Sequence, residues 1–354
     1  MENIKFKFDK KIIQKEYSSK YFITTQNIFK KKNLGRDVTL KFFHFNDNVC
    51  IAGVHECLQL LKFCIPKKVL NKMQIYYLPD GTITQKEQPI LVIRGNYYYF
   101  GHLENIIDGI LSRRSSIATN SYNYIKVIGD PQKLLFMADR SDDYSLQKYD
   151  GYAAYIGGIR KFCTLQHLEF LKDKNDVQYC GTIPHALIQQ FNGDIIATLK
   201  SYKNYFPNEP ITALIDYNND CIGEIILLKS LDFNVEFIRI DTSKTLIDKS
   251  LKDNKKNLYG VNHELITLCR KTLDIQKMNN TKIIVSSGID LEQIKNYKKQ
   301  NTPIDMYGVG KSLLKISVNF TGDLIKNKNN YVAKFGRNKN IEKDLQSMHQ
   351  LKNT

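Results

Sequence analysis

The chain has 354 residues, 42% of them apolar and 25% charged, with a formal net charge of +16 and no tryptophan. That length allows two domains and a large core, the balance is that of a globular protein, and no run of about 18 apolar residues is present to cross a bilayer. No membrane span is expected, and the N-terminus MENIKFKFDKKIIQKEYSSKYF lacks the continuous apolar stretch of a secretory signal, so the expected location is the cytoplasm.

Seven cysteines lie scattered without a C-x-x-C pair, which argues against a zinc knuckle or a disulfide framework and for reduced thiols. The positive charge fits nucleic acid, an anionic surface or a polyanionic small substrate. No recognition helix, aromatic RNA-binding run or zinc-finger spacing supports the first, so nucleic acid is not an expected partner. Much of the excess sits in lysine- and asparagine-rich stretches such as KSLKDNKKN, which read as solvated surface.

Residues 1 to about 115 mix strand-like runs, VTLKFFHF and PILVIRGNYYYF, with the amphipathic VHECLQLLKFC, an α+β pattern. LPDGT at 78–82 carries the turn chemistry of a hairpin. GTIPHALI at 181–188 puts His185 behind a proline at the edge of an apolar run; taken alone, such a histidine is more often structural than chemical.

From about 180 onward short β-branched runs alternate with helical stretches: ITALIDYNND, VEFIRIDTS, TKIIVSSGID and PIDMYGVGKSLL. This is the sequence form of a parallel α/β sheet or barrel. NHELITLCRKTLDIQKM between them places Leu265, Leu268, Ile275 and Met278 as its apolar residues, and Asp290 with Gln293 forms a candidate capping box. GVGKS at 308–312 is not a P-loop, because Asp305 stands where the first glycine is required.

The polar residues fall at the C-terminal ends of these runs: Asp216, Arg239 with Asp241, Ser286 to Gly288, Gly308 and Gly310. In a β/α barrel those ends meet at one mouth. Two carboxylates, a guanidinium and two glycine turns there suit a phosphorylated sugar with a divalent metal, since glycine lets backbone N–H groups approach phosphate and Asp oxygens favour hard cations.

On these segments, together with YSSKYFITTQNIF, IAGVHECLQLLK, YAAYIGG, DMYGVGKSL and the E-x-x-x-x-G-x-L-x-x-x-S-x-I-A-T pattern starting at Glu104, the chain resembles the nicotinate phosphoribosyltransferases of archaea and small-genome bacteria, within the type II phosphoribosyltransferases. The resemblance spans nearly the whole chain in the family's order. It implies an α/β fold with an irregular α/β barrel over 116–340, an N-terminal α+β sandwich domain over 1–115, and a basic tail over 341–354 packing on the N-terminal domain.

It also implies a homodimer with active sites at the subunit interface. The reaction implied is nicotinate with 5-phosphoribosyl-1-pyrophosphate giving nicotinate mononucleotide and pyrophosphate, with Mg²⁺ and, in many members, ATP hydrolysis. By residue, Asp216 and Asp241 match aspartates that orient the ribose hydroxyls and metal-bound pyrophosphate, and Arg239 an arginine near the pyridine ring. Ser286, Gly288, Gly308 and Gly310 fall in the segments that wrap phosphate, and Lys334 stands where the family has a basic residue. Tyr21 and Phe136 match aromatics that sandwich the ring, one from each subunit. Thr182 and His185 occupy the G-T-x-x-H motif whose histidine is phosphorylated in ATP-coupled members.

One departure stands out. Where the family reads F-G-x-R-R-x-H-P, this chain has FMADRSDDY: Phe136 and Arg140 remain, Asp139 replaces the first arginine and the His-Pro pair is missing. Arg160 and Lys161 nearby offer compensating charge. Asp139 leaves two further readings, an altered pyridine preference (quinolinate or nicotinamide) and a binding or regulatory protein that has lost turnover. Quinolinate enzymes of this fold are shorter and lack GTIPHALI.

Overall fold

The computed structural model describes residues 4–252, 258–328, 330–337 and 341–351; the stretch 253–257 of the lysine-rich KSLKDNKKN, like 352–354 of the basic tail, lies outside them. The chain divides into two compact units, one of residues 123–148 with 158–314 and one of 1–122, 149–157 and 315–354. The barrel expected to reach 340 therefore ends at 314, and the helix Glu104–Ile128 runs from one unit into the other.

The first unit is built on a seven-stranded sheet in which every pairing is parallel. In spatial order its strands are Gln178–Tyr179, Lys161–Phe162, Leu134–Phe136, Met306–Val309, Lys282–Val285, Phe237–Ile240 and Thr212–Leu214. This is a parallel half-barrel. The last four strands are short and apolar, as a sheet covered on both faces requires: Ala213, Leu214, Ile238, Ile240, Ile283 and Val285 are all fully buried.

Helices return the chain between strands. Cys221–Leu228 starts at Asp220, whose carboxylate accepts from Gly223 N; Leu291–Lys299 starts with the Asp290/Gln293 capping box read from the sequence. His263–Ile275 buries Leu265, Ile266, Cys269, Thr272 and Leu273, while Ile275 is exposed. The apolar face is thus rotated from the one expected, because Ile266 and Cys269, not Ile275, continue the i, i+3, i+4 stripe.

The second unit carries a six-stranded sheet ordered Asn330–Tyr331, Phe320–Asn327, Val38–His44, Leu91–Gly95, Gln74–Tyr77 and His349–Gln350. Residues 315–351 belong here because Phe320–Asn327 pairs antiparallel along the whole of Val38–His44. His349–Gln350 adds an edge strand against Gln74–Tyr77.

LPDGT does not close a hairpin. Gln74–Tyr77 pairs with Leu91–Gly95, and Ile83–Thr84 with Val49–Cys50. The turn instead serves a helix: Asp80 accepts from Val54 N at 2.8 Å at the start of Val54–Cys64 and from the Tyr152 hydroxyl at 2.7 Å.

Candidate functional site at the C-terminal ends of the parallel strands

Arg239 and Asp241 are two residues apart where Phe237–Ile240 ends, so strand alternation turns both side chains to one face. The guanidinium is held at three corners. Nε donates to Ser286 Oγ at 2.9 Å, Nη1 to Thr182 Oγ1 at 2.7 Å and Nη2 to Asp241 Oδ2 at 2.9 Å. Ser286 Oγ in turn donates to Asp241 Oδ1 at 2.6 Å. Four residues from three separate chain segments are thereby locked together. Arg239 and Asp241 side chains are 13% and 16% exposed, enough for a ligand to reach them.

Asp216, two residues past Thr212–Leu214, accepts from His185 Nε2 at 3.2 Å on each oxygen. His185 opens the short helix His185–Gln190 and is 40% exposed; Asp216 is 8% exposed. Burial raises the Asp216 carboxyl above the usual carboxylate range; His185 pulls it down and the Asp241 charge adds to the rise. The repulsion that Asp216 feels from the Asp241 charge in a partly buried place would be relieved by a shared cation. Tyr217, which the sequence reading did not single out, lies beside the His185 ring at 6.5 Å between centroids.

The glycines sit where a side chain would not fit or where the backbone is left-handed. A Cβ on Gly308 would sit 2.5 Å from Met137 Sδ, and one on Gly310 2.7 Å from the Met137 carbonyl oxygen. The space beside both is already filled by the residue that follows Leu134–Phe136, so they permit strand packing. Gly288 has φ +69° next to Ser287 at φ +78°, a turn that needs glycine's freedom.

Phe136 is corrected from ring sandwich to core. It is fully buried, with the His167 ring edge-on at 4.9 Å and Phe162 at 5.8 Å. His167 is fully buried too, and burial pushes its imidazole down to about 4. Asp139 and Arg140 are exposed past this strand. Burial, then the Asp139 charge and a hydrogen bond to Asp139, push the Cys163 thiol up to about 12. Arg160 does not compensate, because it pairs with Asp176 at 2.8 Å.

Tyr21 and Lys334 belong to the other unit. Tyr21 is 63% exposed on the helix Lys20–Lys32, its ring 4.3 Å from that of Phe22; Lys334 is exposed.

Magnesium, expected from the resemblance, can be tested against these side chains. Among the described residues no group of three or more His, Cys, Asp or Glu forms a metal cage. Mg²⁺ is commonly held by one or two carboxylates with substrate phosphates and water. The Asp216 and Asp241 pair, with the raised Asp216, fits that donor set.

Among the described residues no helix is long and apolar enough to cross a membrane. Residues 21–115 match the family described as quinolinate phosphoribosyl transferase, N-terminal domain. A curated nicotinate phosphoribosyltransferase of Bacillus subtilis is 25% identical over 250 residues, 68% of this chain; the chain spans 45% of that protein's length. A crystal structure of nicotinate-nucleotide pyrophosphorylase from Pyrococcus furiosus superposes with a TM-score of 0.76 at 24% identity, covering 95% of this chain and 82% of the other. Human nicotinic acid phosphoribosyltransferase superposes at 0.63 with 14% identity, covering 88% and 75%. The resemblance read from the sequence is borne out, and the fold is that of the type II phosphoribosyltransferases.

Proposed function

We propose that this chain, with its type II phosphoribosyltransferase fold, transfers the phosphoribosyl group of 5-phosphoribosyl-1-pyrophosphate to the ring nitrogen of nicotinate, giving nicotinate mononucleotide and pyrophosphate. The observation that carries the reading is the lock of Arg239, Asp241, Ser286 and Thr182 beside the His185–Asp216 pair at one end of consecutive parallel strands.

In this reaction the nitrogen lone pair forms the N–C1 bond as the C1–O bond breaks and its electrons leave with pyrophosphate. No proton moves. The protein's task is to hold the two reactants in line and to balance charge at an oxocarbenium-like sugar. Asp216 and Asp241 supply acceptors for the ribose hydroxyls and negative charge beside the sugar. Of the five N–H bonds of a guanidinium, three of Arg239 are taken, which leaves one on each terminal nitrogen for the pyridine carboxylate. Bound Mg²⁺, held by Asp216 and Asp241 with the substrate, would neutralise the departing pyrophosphate.

His185 carries the ATP-coupled arm of the reading. With Nε2–H given to Asp216, the lone pair lies on Nδ1, free to take a γ-phosphoryl group as ADP leaves. The active assembly in this reading is a homodimer, in which Tyr21 reaches the pyridine ring of a partner copy.

The quinolinate alternative is favoured by one observation, the N-terminal family match over 21–115. One assay separates the two. Purified protein is incubated with 5-phosphoribosyl-1-pyrophosphate, Mg²⁺ and nicotinate, nicotinamide or quinolinate in turn, with and without ATP. Nicotinate mononucleotide from nicotinate, with the other pyridines at least about tenfold slower, is the expected result. Product from quinolinate with release of CO₂ moves the assignment to the alternative, and no nucleotide from any pyridine defeats both.

A further inference from the structure

The His185–Asp216 pair is held from both ends of one short helix. His185 opens His185–Gln190 and reaches Asp216 through Nε2 at 3.2 Å. Six residues make about 9 Å of helix, so whatever fixes the far end also fixes the imidazole. The far end is closed by two consecutive left-handed residues, Asn192 at φ +52° and Gly193 at φ +84°, with Gly193 N donating to Ile188 O at 3.0 Å.

That turn is gripped by the segment that carries Asp216. Asn218, two residues further on, donates its side-chain amide to Gly193 O at 3.2 Å and to Glu224 Oε1 at 2.5 Å. Both partners are acceptors, so the amide nitrogen and not its oxygen must face them. The fit is close as well as polar: a Cβ on Gly193 would stand 2.9 Å from Tyr217 Cε1 and 3.3 Å from Asn218 Oδ1. Asp216, Tyr217 and Asn218 thus hold the helix at its first residue and at the turn behind its last.

Asn218 is itself exposed, and an exposed amide keeps one orientation only where something fixes it. Glu224 does so. It lies in the first turn of Cys221–Leu228 and is 4% exposed, a rare place for a carboxyl. Its Oε2 has no hydrogen-bond partner among the described residues, so its side-chain bonding runs through Oε1 to Asn218. Burial raises the carboxyl above its usual range; the Asn218 bond draws it back, and the Asp220 and Asp194 charges add to the rise. Keeping an acid there costs desolvation that a leucine would avoid, and what the acid provides is one fixed amide.

We infer that Glu224 is a positioning residue: through Asn218 and the Gly193 carbonyl it fixes the helix that presents His185 to Asp216. What that pair does rests on the transferase reading; the link from Glu224 to it rests on the hydrogen bonds alone.

The test reads His185 directly. Wild type, Glu224→Ala, Glu224→Gln, Asn218→Ala and the double variant Glu224→Ala/Asn218→Ala are treated with diethyl pyrocarbonate within the folded range of their thermal melts. Carbethoxylation of His185 is followed by mass spectrometry against that of the exposed His349. Loss of one hydrogen bond frees the group it held about 3- to 10-fold more often. Glu224→Ala and Asn218→Ala are each expected to raise the His185-to-His349 ratio by that factor, and the double variant by no more than either, because both cut one link. Glu224→Gln keeps an acceptor oxygen and stays near wild type. A residue that only stabilises the fold would lower the melting temperature and leave the ratio unchanged. In the transferase assay the ATP-stimulated increment in kcat falls about 10- to 100-fold in Glu224→Ala, with KM values within about threefold of wild type.

A wild-type ratio in both Glu224→Ala and Asn218→Ala overturns the inference, as does a Glu224→Gln as fast as Glu224→Ala or a double variant in which the two effects add. Should Glu224→Ala not fold, Glu224→Leu, which fills the space without an acceptor, replaces it. Faster His185 modification in the variants, with no nucleotide formed by wild type from any pyridine, keeps the positioning link and removes the transferase reading. Nucleotide formation in Glu224→Ala at the wild-type ATP-stimulated rate, with an unchanged ratio, keeps the reading and removes the link.

Discussion

Arg239 shows why residue type matters more than charge at this rim. Its three corners reach Ser286, Thr182 and Asp241 because a planar fork presents donors in fixed directions. Arg239→Lys keeps the charge and loses the fork, so kcat/KM for nicotinate is expected to fall about 100-fold or more while the protein stays folded. Recovery to within about threefold would show that charge alone suffices. His185→Ala is expected to reduce the ATP-stimulated increment in rate far more than the rate without ATP; equal losses in both assays would return the histidine to a structural role. Asp216, Arg239, Asp241 and Ser286 were legible in the sequence because each polar residue ends or closes an apolar run. Phe136 was not, since an aromatic at a strand end reads alike whether it faces a ligand or the core.

At the level of strands and turns, the glycines divide by what stands next to them. Gly308 faces the Met137 side chain, which can swing aside, whereas Gly310 faces the Met137 carbonyl, which is fixed by Met137 N donating to Val309 O at 2.8 Å. Gly310→Ala is therefore expected to destabilise by about 1–3 kcal/mol and Gly308→Ala by less, measured by denaturant unfolding. The reverse order would mean that the strand end yields more readily than the thioether. The alternation of β-branched and helical segments after about 180 announced the parallel sheet, and the Asp290/Gln293 cap was legible as a local pattern. LPDGT misled because turn chemistry fixes the bend and says nothing of which strands pair across it. In His263–Ile275 both candidate stripes contain Leu265, and choosing between them needs the neighbouring elements.

For the molecule as a whole, stability carries a pH signature from two carboxyls of the antiparallel-sheet unit. Burial, helped by the Asp108 and Asp323 charges, raises Glu104 to about 7, and burial raises Asp108 to about 7. In the unfolded chain both titrate near 4. A raised folded value means protons bind the native state more tightly, so this contribution is complete below about pH 4 and is lost as pH rises through about 7. Glu104→Gln and Asp108→Asn are each expected to raise the melting temperature at pH 8 by roughly 2–4 °C and to change it little or lower it at pH 4. No gain at pH 8 would mean the carboxyls are solvated on ionisation.

The pairing of Phe320–Asn327 with Val38–His44 across almost three hundred residues also sets an order of assembly during synthesis. Every strand of the parallel sheet has been synthesised once Val309 is made, while Val38–His44, translated far earlier, still has one bare edge. The nascent polypeptide must carry that unsatisfied edge until the eight residues from Phe320 emerge, a window in which holdase chaperones have something to grip and stalled products are prone to aggregate.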